Sequence, residues 1–433
     1  MKEKYENLFY EFEPEVIDGG NWCVSKQAFL HGEKDIPEAV MYTGFQVITA
    51  PVQMETEPIY HREAENLVFL GAVLPDVFSS FDAEIHFYMG KTLETMEKIV
   101  VTQPTIIKVP KGWCHSPLSF VRVDKPVLFQ AVLFAGAPGS IKLVQGANRE
   151  NVALFSDRET HRFAHVHNDK APKSVPWKVI NEDGVELYSQ KGAYDPSKAP
   201  SSLDTVIRPG YRSKPYSDAT ALTAPKPELT EEMSKCVLAI PKEETRWGDW
   251  CPSPQAYFRG DIYMENATYN VGWQVFAGAN DMEEPHFHQG VDEYIFFMGA
   301  NPSDIFDFDA EIEFFIGDDP DHMESKILTK PTVVRLPPTV WHCPIKFRKM
   351  KKPLIFQAAF MHGTWGTITR SPNTSTEKTW FDRKYNYDYM GDNVRFCKFN
   401  DKKRCNICGA CFPKMDEINF DKLDSERAAV SNG

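Results

Sequence analysis

The amino-acid sequence predicts an all-β protein built from two copies of one domain. Three observations support this prediction. Stretches of the N-terminal half return in the C-terminal half at a nearly constant offset, the apolar runs are short and broken by Pro and Gly, and neither half carries a convincing amphipathic-helix stripe. Each copy is therefore expected to form a β-sandwich or β-barrel.

The repeat is the first of these observations. NWCVSKQAFLHG at 21–32 returns as DWCPSPQAYFRG at 249–260, and FDAEIHFYMG at 81–90 returns as FDAEIEFFIG at 308–317. Matches that keep their spacing across most of a copy indicate a duplicated domain rather than chance similarity.

Strand patterning and composition set the domain boundaries. Within 308–317, apolar residues alternate with acidic ones, which is the period of a half-buried strand. Between the copies the chain becomes dense in Pro, Ser and Ala, as is typical of an extended linker. We predict an N-terminal barrel over 20–140, an irregular connector over 141–240, a C-terminal barrel over 241–370 and a tail over 371–433.

Composition narrows the classes of function. The chain of 433 residues has a formal net charge of −13, which argues against a nucleic-acid partner because phosphate binding draws on clustered Lys and Arg. No apolar run is long enough for a membrane span, and the first residues lack the pattern of a signal peptide. We therefore expect a cytoplasmic protein that binds a small molecule and has no membrane partner.

The C-terminal copy contains a set of candidate metal ligands. His286 and His288 lie two residues apart, so on a strand they point to the same face. Glu293 opens the next predicted strand, and His342 follows a Pro-rich corner later in the chain. Three imidazoles and a carboxylate suit a divalent transition metal, and we expect iron, with Mn, Ni, Cu or Zn as alternatives.

The spacing of these ligands resembles a known family. With Gly299 after the first group and Pro337 before the last histidine, it is similar to the two signature motifs of the cupins, and the duplication resembles a bicupin. The resemblance implies two tandem jelly-roll barrels, a metal held by the three histidines and the glutamate, and association of copies through barrel edges. It does not specify a reaction, because cupins include enzymes of several classes and plain binding proteins.

The N-terminal copy departs from this pattern. Ile59 stands where the first histidine is expected, while His61 and His115 remain. The acid is Glu65 if the alignment contains one gap, and the position is Asn66 if it contains none. We expect either a weak three-ligand site formed by His61, Glu65 and His115 or a structural remnant that binds no metal.

Two buried amides recur in both copies. In the C-terminal copy they are Gln274 and Gln357, each inside an apolar run. A buried amide needs hydrogen-bond partners, so these residues either tie strands together or contact the substrate.

The tail contains a cysteine cluster. Cys405, Cys408 and Cys411 have the spacing of the first three ligands of a bacterial ferredoxin cluster, and Cys397 can supply a fourth. We expect this tail to hold an iron–sulfur cluster or a zinc ion.

Two functions fit these features. The first is a metal-dependent cupin enzyme acting on a small oxygenated or anionic organic substrate at the C-terminal barrel, as a dioxygenase or as an oxygen-independent lyase, decarboxylase or isomerase. The second is a non-catalytic bicupin that binds or senses a small ligand around a structural metal.

Overall fold

The structure is a computed structural model. It describes residues 1–16, 22–23, 26–55, 58–61, 63–73, 76–92, 95–136, 139–145, 151–157, 177–180, 186–190, 229–243, 249–260, 263–283, 285–288, 291–301, 304–318, 320–338, 340–363, 367–372 and 385–390.

Among the described residues, the first part of the chain contains one short α-helix, one 3₁₀-helix (Gly32–Lys34) and sixteen strands. They are α1 (Glu3–Glu6), β1 (Phe9–Glu11), β2 (Glu15–Val16), β3 (Lys26–Leu30), β4 (Tyr42–Ile48), β5 (Val52–Glu55), β6 (Ile59–His61), β7 (Glu65–Gly71), β8 (Ala83–Gly90), β9 (Glu97–Val101), β10 (Thr105–Val109), β11 (Cys114–Val123), β12 (Val127–Leu133), β13 (Gly139–Gln145), β14 (Asn151–Asp157), β15 (Trp177–Ile180) and β16 (Glu186–Gln190).

The second part contains one short helix and fourteen strands. They are α2 (Glu231–Ser234), β17 (Val237–Ala239), β18 (Lys242–Glu243), β19 (Gln255–Phe258), β20 (Asn270–Phe276), β21 (Asn280–Met282), β22 (His286–Phe287), β23 (Glu293–Gly299), β24 (Ala310–Gly317), β25 (Met323–Leu328), β26 (Thr332–Leu336), β27 (Trp341–Met350), β28 (Leu354–Phe360), β29 (Thr367–Pro372) and β30 (Tyr385–Met390).

The chain divides into two compact units, each with two sheets. The N-terminal unit comprises Pro14–Val73 and Val77–Ala239, and the C-terminal unit comprises Met1–Glu13, Leu74–Asp76 and Ile240–Gly433. Among the strand pairs of the described residues, only β14 and β15 run parallel. The all-β prediction is confirmed, and the antiparallel sheets match two jelly-roll barrels.

The two sheets of the N-terminal unit enclose an apolar core. One sheet has the order β17-β10-β7-β12-β4-β3-β2, and the other has the order β16-β15-β14-β13-β6-β11-β8-β9, with β5 also on β11. Phe69 and Phe129 stack across neighbouring strands, and Phe120 meets both rings edge-on. Phe87 and Ile107 are fully buried beside them in the same core.

The C-terminal unit repeats this arrangement. Its sheets have the orders β1-β26-β23-β28-β20-β19-β18 and β25-β24-β27-β22-β29-β30, with β21 also on β27. Phe276 stacks on Phe356 at 4.8 Å between ring centroids, and Phe297, Phe314 and Phe347 complete the aromatic core.

Each unit is completed by a short arm that starts with a four-residue helix. The first arm, residues 1–13, contains α1 and β1, and the second arm, residues 231–239, contains α2 and β17. β1 of the N-terminal arm pairs with β26 in the C-terminal unit, and β17 pairs with β10 in the N-terminal unit. β14 to β17 lie within 141–240, the range for which the sequence predicts a connector, and β13 extends into it from Gly139. The strand of each arm lies outside the range predicted for the barrel whose sheet it joins.

The two α-helices of the described residues have four residues each. Within the described segments, no helix combines the length and apolar character needed to cross a bilayer.

Candidate metal centre

The predicted ligands of the C-terminal unit lie on two neighbouring strands of one sheet and at the first residue of a strand in the facing sheet. His286 in β22 is the direct cross-strand partner of His342 in β27. His288 follows β22 after Phe287, so strand alternation turns it to the side that His286 occupies. Glu293 begins β23 in the opposing sheet. The fold therefore brings together four residues that are far apart in the sequence.

Three of these side chains converge on one point. Glu293 Oε2 lies 3.2 Å from His288 Nε2 and 3.2 Å from His342 Nε2. One donor atom from each of the three residues lies within 4.8 Å of the others, and all three residues are buried. A carboxylate between two imidazole nitrogens is a donor set that divalent transition metals accept.

His286 lies beside this trio and is oriented differently. Its ring centroid is 4.3 Å from that of His342 and 5.1 Å from that of His288. Its Nε2 atom lies 3.4 Å from Oε2 of Glu283, and its donor atom groups with those of His342 and Cys343 rather than with Glu293. The structure thus groups three of the predicted ligands tightly and places the fourth next to them.

The electrostatics of the centre favour an ionised carboxylate. Burial raises the pKa of Glu293, but the adjacent His288 and His342 imidazoles lower it by more, so the net pKa lies well below the ordinary value for glutamate. A buried carboxylate of this kind requires positive charge at its side, either as protons on the imidazoles or as a bound cation.

The backbone fixes the tautomer of His342. Its Nδ1 atom lies 3.1 Å from the Val340 carbonyl oxygen, which can only accept, so Nδ1 carries the proton. In the neutral ring, Nε2 then presents a lone pair towards Glu293. The Val340 carbonyl therefore orients the ring, as backbone carbonyls do for many metal-binding histidines.

An aromatic ring packs against the centre. His288 lies edge-on to Phe360 at 5.0 Å, and both residues are buried. Phe287 packs against Trp341 at 5.0 Å on the other face of the sheet, because each alternates with the histidines on its strand. Burial of the donors excludes water and lowers the local dielectric, which strengthens the interaction between the carboxylate and any cation.

The N-terminal unit contains a similar group with one member replaced. Glu65 Oε2 lies 3.3 Å from His115 Nε2 and 3.6 Å from His61 Nε2, and the three donors lie within 4.8 Å of one another. His115 Nδ1 is 3.2 Å from the Trp113 carbonyl oxygen, which matches the contact of His342 Nδ1 with the Val340 carbonyl oxygen at 3.1 Å. Ile59 is the cross-strand partner of His115, so it occupies the place of His286.

This geometry resolves the alignment that the sequence leaves open. Glu65 begins β7 and faces the two histidines, whereas Asn66 is the next residue and takes the opposite face of the strand. The acid of the N-terminal group is therefore Glu65.

The two amides occupy different faces of their strands. Gln274 shares the interior face of β20 with Phe276, and its Nε2 atom lies 3.9 Å from the Cys251 sulfur. On β28 the interior face carries Phe356 and Phe360, so strand alternation turns Gln357 away from the side that contacts His288. The predicted substrate contact of Gln357 is therefore not in position, because the register places it on the other face.

The tail cluster lies outside the described residues. This applies to Cys397, Cys405, Cys408 and Cys411, so the expectation of an iron–sulfur cluster or zinc there stays a prediction.

Sequence reasoning missed two residues at the centre. Cys343 is buried, and its sulfur lies within 4.8 Å of donor atoms of His286 and His342. Glu283 lies just before the HxH pair and contacts His286. Only their closeness in sequence to predicted ligands could have indicated these two residues, because Cys343 follows His342 directly and Glu283 stands three residues before His286.

Comparison with known proteins gives limited information. No family model matches the chain, and no curated protein matches it. Solved structures that resemble it include oxalate decarboxylase from Bacillus subtilis at pH 4.6, with 11% identity over 96% of this chain and 84% of that chain and a TM-score of 0.45. Another structure of that enzyme, solved in a study of its Mn(II) centres, gives 11% identity over 96% and 85% of the two chains and a TM-score of 0.44. Both TM-scores are low, so the fold and the candidate site are assigned from this chain's own geometry.

Proposed function

We propose that the protein is a metal-dependent enzyme that acts on a small oxygenated or anionic organic molecule in the C-terminal unit. One observation carries the proposal: Glu293 Oε2 lies 3.2 Å from the Nε2 atoms of both His288 and His342 inside an apolar wall. A buried cluster of three titratable groups with these residue types is more often functional than structural.

The donors fit a divalent cation on their own chemistry. Although Glu293 Oε2 and His342 Nε2 are close, the pair does not have hydrogen-bond geometry, and both atoms are buried without a hydrogen-bond partner among the described residues. When the His342 ring is neutral, Nδ1 holds its proton and two lone pairs face each other. A cation accepted by both atoms would remove that conflict.

Each residue has a definite role in this proposal. His288, Glu293 and His342 hold the cation, with His286 beside them as a fourth donor. When bound, the cation supplies Lewis-acid polarisation of a substrate oxygen and coordination positions for substrate or O2. Glu293 remains ionised because its pKa is low, and the Phe360 ring, which packs against His288, helps to keep water from the donors. A carboxylate, hydroxyl or carbonyl oxygen is the substrate group that suits such a centre.

The experiment is an activity screen with a matched pair of variants. Metal-loaded full-length protein is assayed with small carboxylic acids, phenols and sugars, in the presence and absence of O2. His342→Ala should abolish the turnover found, whereas His115→Ala, which removes the equivalent residue of the N-terminal unit, should preserve it.

Two outcomes would contradict the proposal. If His115→Ala abolishes turnover while His342→Ala preserves it, the N-terminal unit carries the reaction. If compounds raise the melting temperature of the metal-loaded protein but none is converted, the protein is a binding or sensing module.

A further inference from the structure

The C-terminal unit contains a second group of donors that shares His342 with the first and includes the neighbouring His286. Donor atoms of His286, His342 and Cys343 all lie within 4.8 Å of one another, and all three residues are buried. Glu283 adds a carboxylate, with its Oε2 atom 3.4 Å from His286 Nε2. The proposed function uses neither the thiol nor this carboxylate.

The backbone explains why a cysteine directly after a ligand can join its group. Neighbouring residues on a regular strand point to opposite faces, which would separate Cys343 from His342. Cys343 instead has a φ of +69°, and the pairing of β27 with β24 shifts register at this point. This local departure from strand geometry brings the thiol within ligand distance of both histidines.

Comparison of the two copies separates the two donor groups. The donors His288, Glu293 and His342 correspond to residues of the same types in the N-terminal copy, namely His61, Glu65 and His115. The remaining donors correspond to residues that are poor metal ligands: Glu283 to Thr56, His286 to Ile59 and Cys343 to Ser116. The carboxylate, the extra imidazole and the thiol therefore occur together in one copy and are replaced together in the other. Three coordinated differences are better explained by a shared role than by three independent ones.

We propose that Glu283, His286, His342 and Cys343 form a second cation site, for a thiophilic divalent ion such as Zn²⁺. A thiolate, two imidazoles and a carboxylate are the ligand types of tetrahedral zinc sites. On binding, the Cys343 thiol gives its proton to solvent and the sulfur bonds to the cation, so no oxidant or reductant is needed. The existence of this second site does not depend on the proposed function, whereas the competition between two cations for His342 does. Because both groups use His342, one ion excludes the other.

The test uses Cd²⁺ as the thiophilic probe and Mn²⁺ as the probe of the first group. The protein is the full chain with the four tail cysteines replaced by serine, so that they cannot bind Cd²⁺. We expect a thiolate-to-Cd²⁺ charge-transfer band that saturates at one equivalent. Cys343→Ser and His286→Ile, which introduce the residues of the N-terminal copy, should abolish the band, and His288→Ala should retain it. Cys251→Ser, at another buried thiol of the same unit, should leave the band unchanged.

Mn²⁺ binding, followed by electron paramagnetic resonance, supplies the complementary measurement. His288→Ala should lose the Mn²⁺ signal of this unit, whereas Cys343→Ser should keep it, which also shows that the variant is folded. Added Cd²⁺ should release that Mn²⁺ from the parent protein but not from Cys343→Ser.

The outcomes separate the two proposals. A charge-transfer band that persists in Cys343→Ser would overturn the second site, and simultaneous binding of Cd²⁺ and Mn²⁺ in this unit would overturn the competition. If Mn²⁺ binds to none of these proteins while the Cd²⁺ band depends on Cys343, the second site is supported and the proposed function is not.

Discussion

Replacement of Phe12 by alanine should destabilise the C-terminal unit, although Phe12 lies at the opposite end of the sequence. The ring is 4% exposed, stacks on Phe296 at 6.2 Å, and its backbone N–H donates to the Pro331 carbonyl at 2.9 Å. Removal of a buried phenylalanine ring costs about 3–5 kcal/mol. Phe296 lies in β23, the strand that begins with Glu293, so the change should also loosen the candidate metal centre.

Hydrogen exchange measured by mass spectrometry resolves this effect by unit. A loss of that size should speed exchange of the most protected amides by roughly two to four orders of magnitude. Amides of β26, including Val333 and Val334, should show the change, while those of Ile106 and Ile107 in β10 should not. The reciprocal variant is Met233→Ala in the second arm, which should cost about 2–5 kcal/mol and affect β10 instead. Equal acceleration in both units for either variant would refute the assignment of the arms.

Three further predictions concern other parts of the chain. In a His342→Ala background, Ile59→His should raise the Mn²⁺ affinity of the N-terminal site, measured by titration calorimetry, because it restores the missing imidazole; an unchanged affinity would show that Ile59 is not what limits that site. Hydrogen bonds to Asp35 and Glu15 raise the pKa of His31 to about 9. The protonated ring therefore stabilises the fold fully below the ordinary histidine pKa, and this contribution is lost as the pH rises through about 9. Denaturation of the N-terminal unit between pH 6 and 10 should therefore show a loss of about 1–2 kcal/mol after solvent screening, and His31→Gln should remove it; a stability that rises over this range would contradict the assignment. A chain ending before Cys397 should lose the iron or zinc of the tail but keep the cation of the C-terminal unit, and an unchanged metal and sulfide content would show that the tail binds neither.

The sequence contained enough information for the fold class and for most of the centre. Strand alternation and the duplication are local patterns, and the ligand spacing follows from which face of a strand each side chain takes. Strand alternation made His286 and His288 predictable as neighbours, and the resemblance of the spacing to known metal-binding motifs added Glu293 and His342. The acid of the N-terminal group was not, because a one-residue gap changes the face on which Glu65 lies.

The remaining features depend on contacts that no local pattern specifies. β1 has three residues, and nothing within them indicates that they pair with β26 rather than with a strand nearby in sequence. The approach of Cys343 to the histidines depends on one positive φ in a strand, and strand alternation predicts the opposite. The recurrence of Gln357 in both copies left open whether it ties strands together or contacts a substrate, and the face it takes depends on the register of β28.

Metal content is the most direct test of the central claim that His288, Glu293 and His342 hold a cation. Elemental analysis of full-length protein purified without oxygen should be carried out in a Cys343→Ser background, which removes the proposed second site, on that parent chain, on His288→Ala and on the matched control His61→Ala. His288→Ala should lose one equivalent of transition metal per chain relative to the parent, and His61→Ala should retain that equivalent. A His288→Ala protein with the full metal content of the parent would contradict the account.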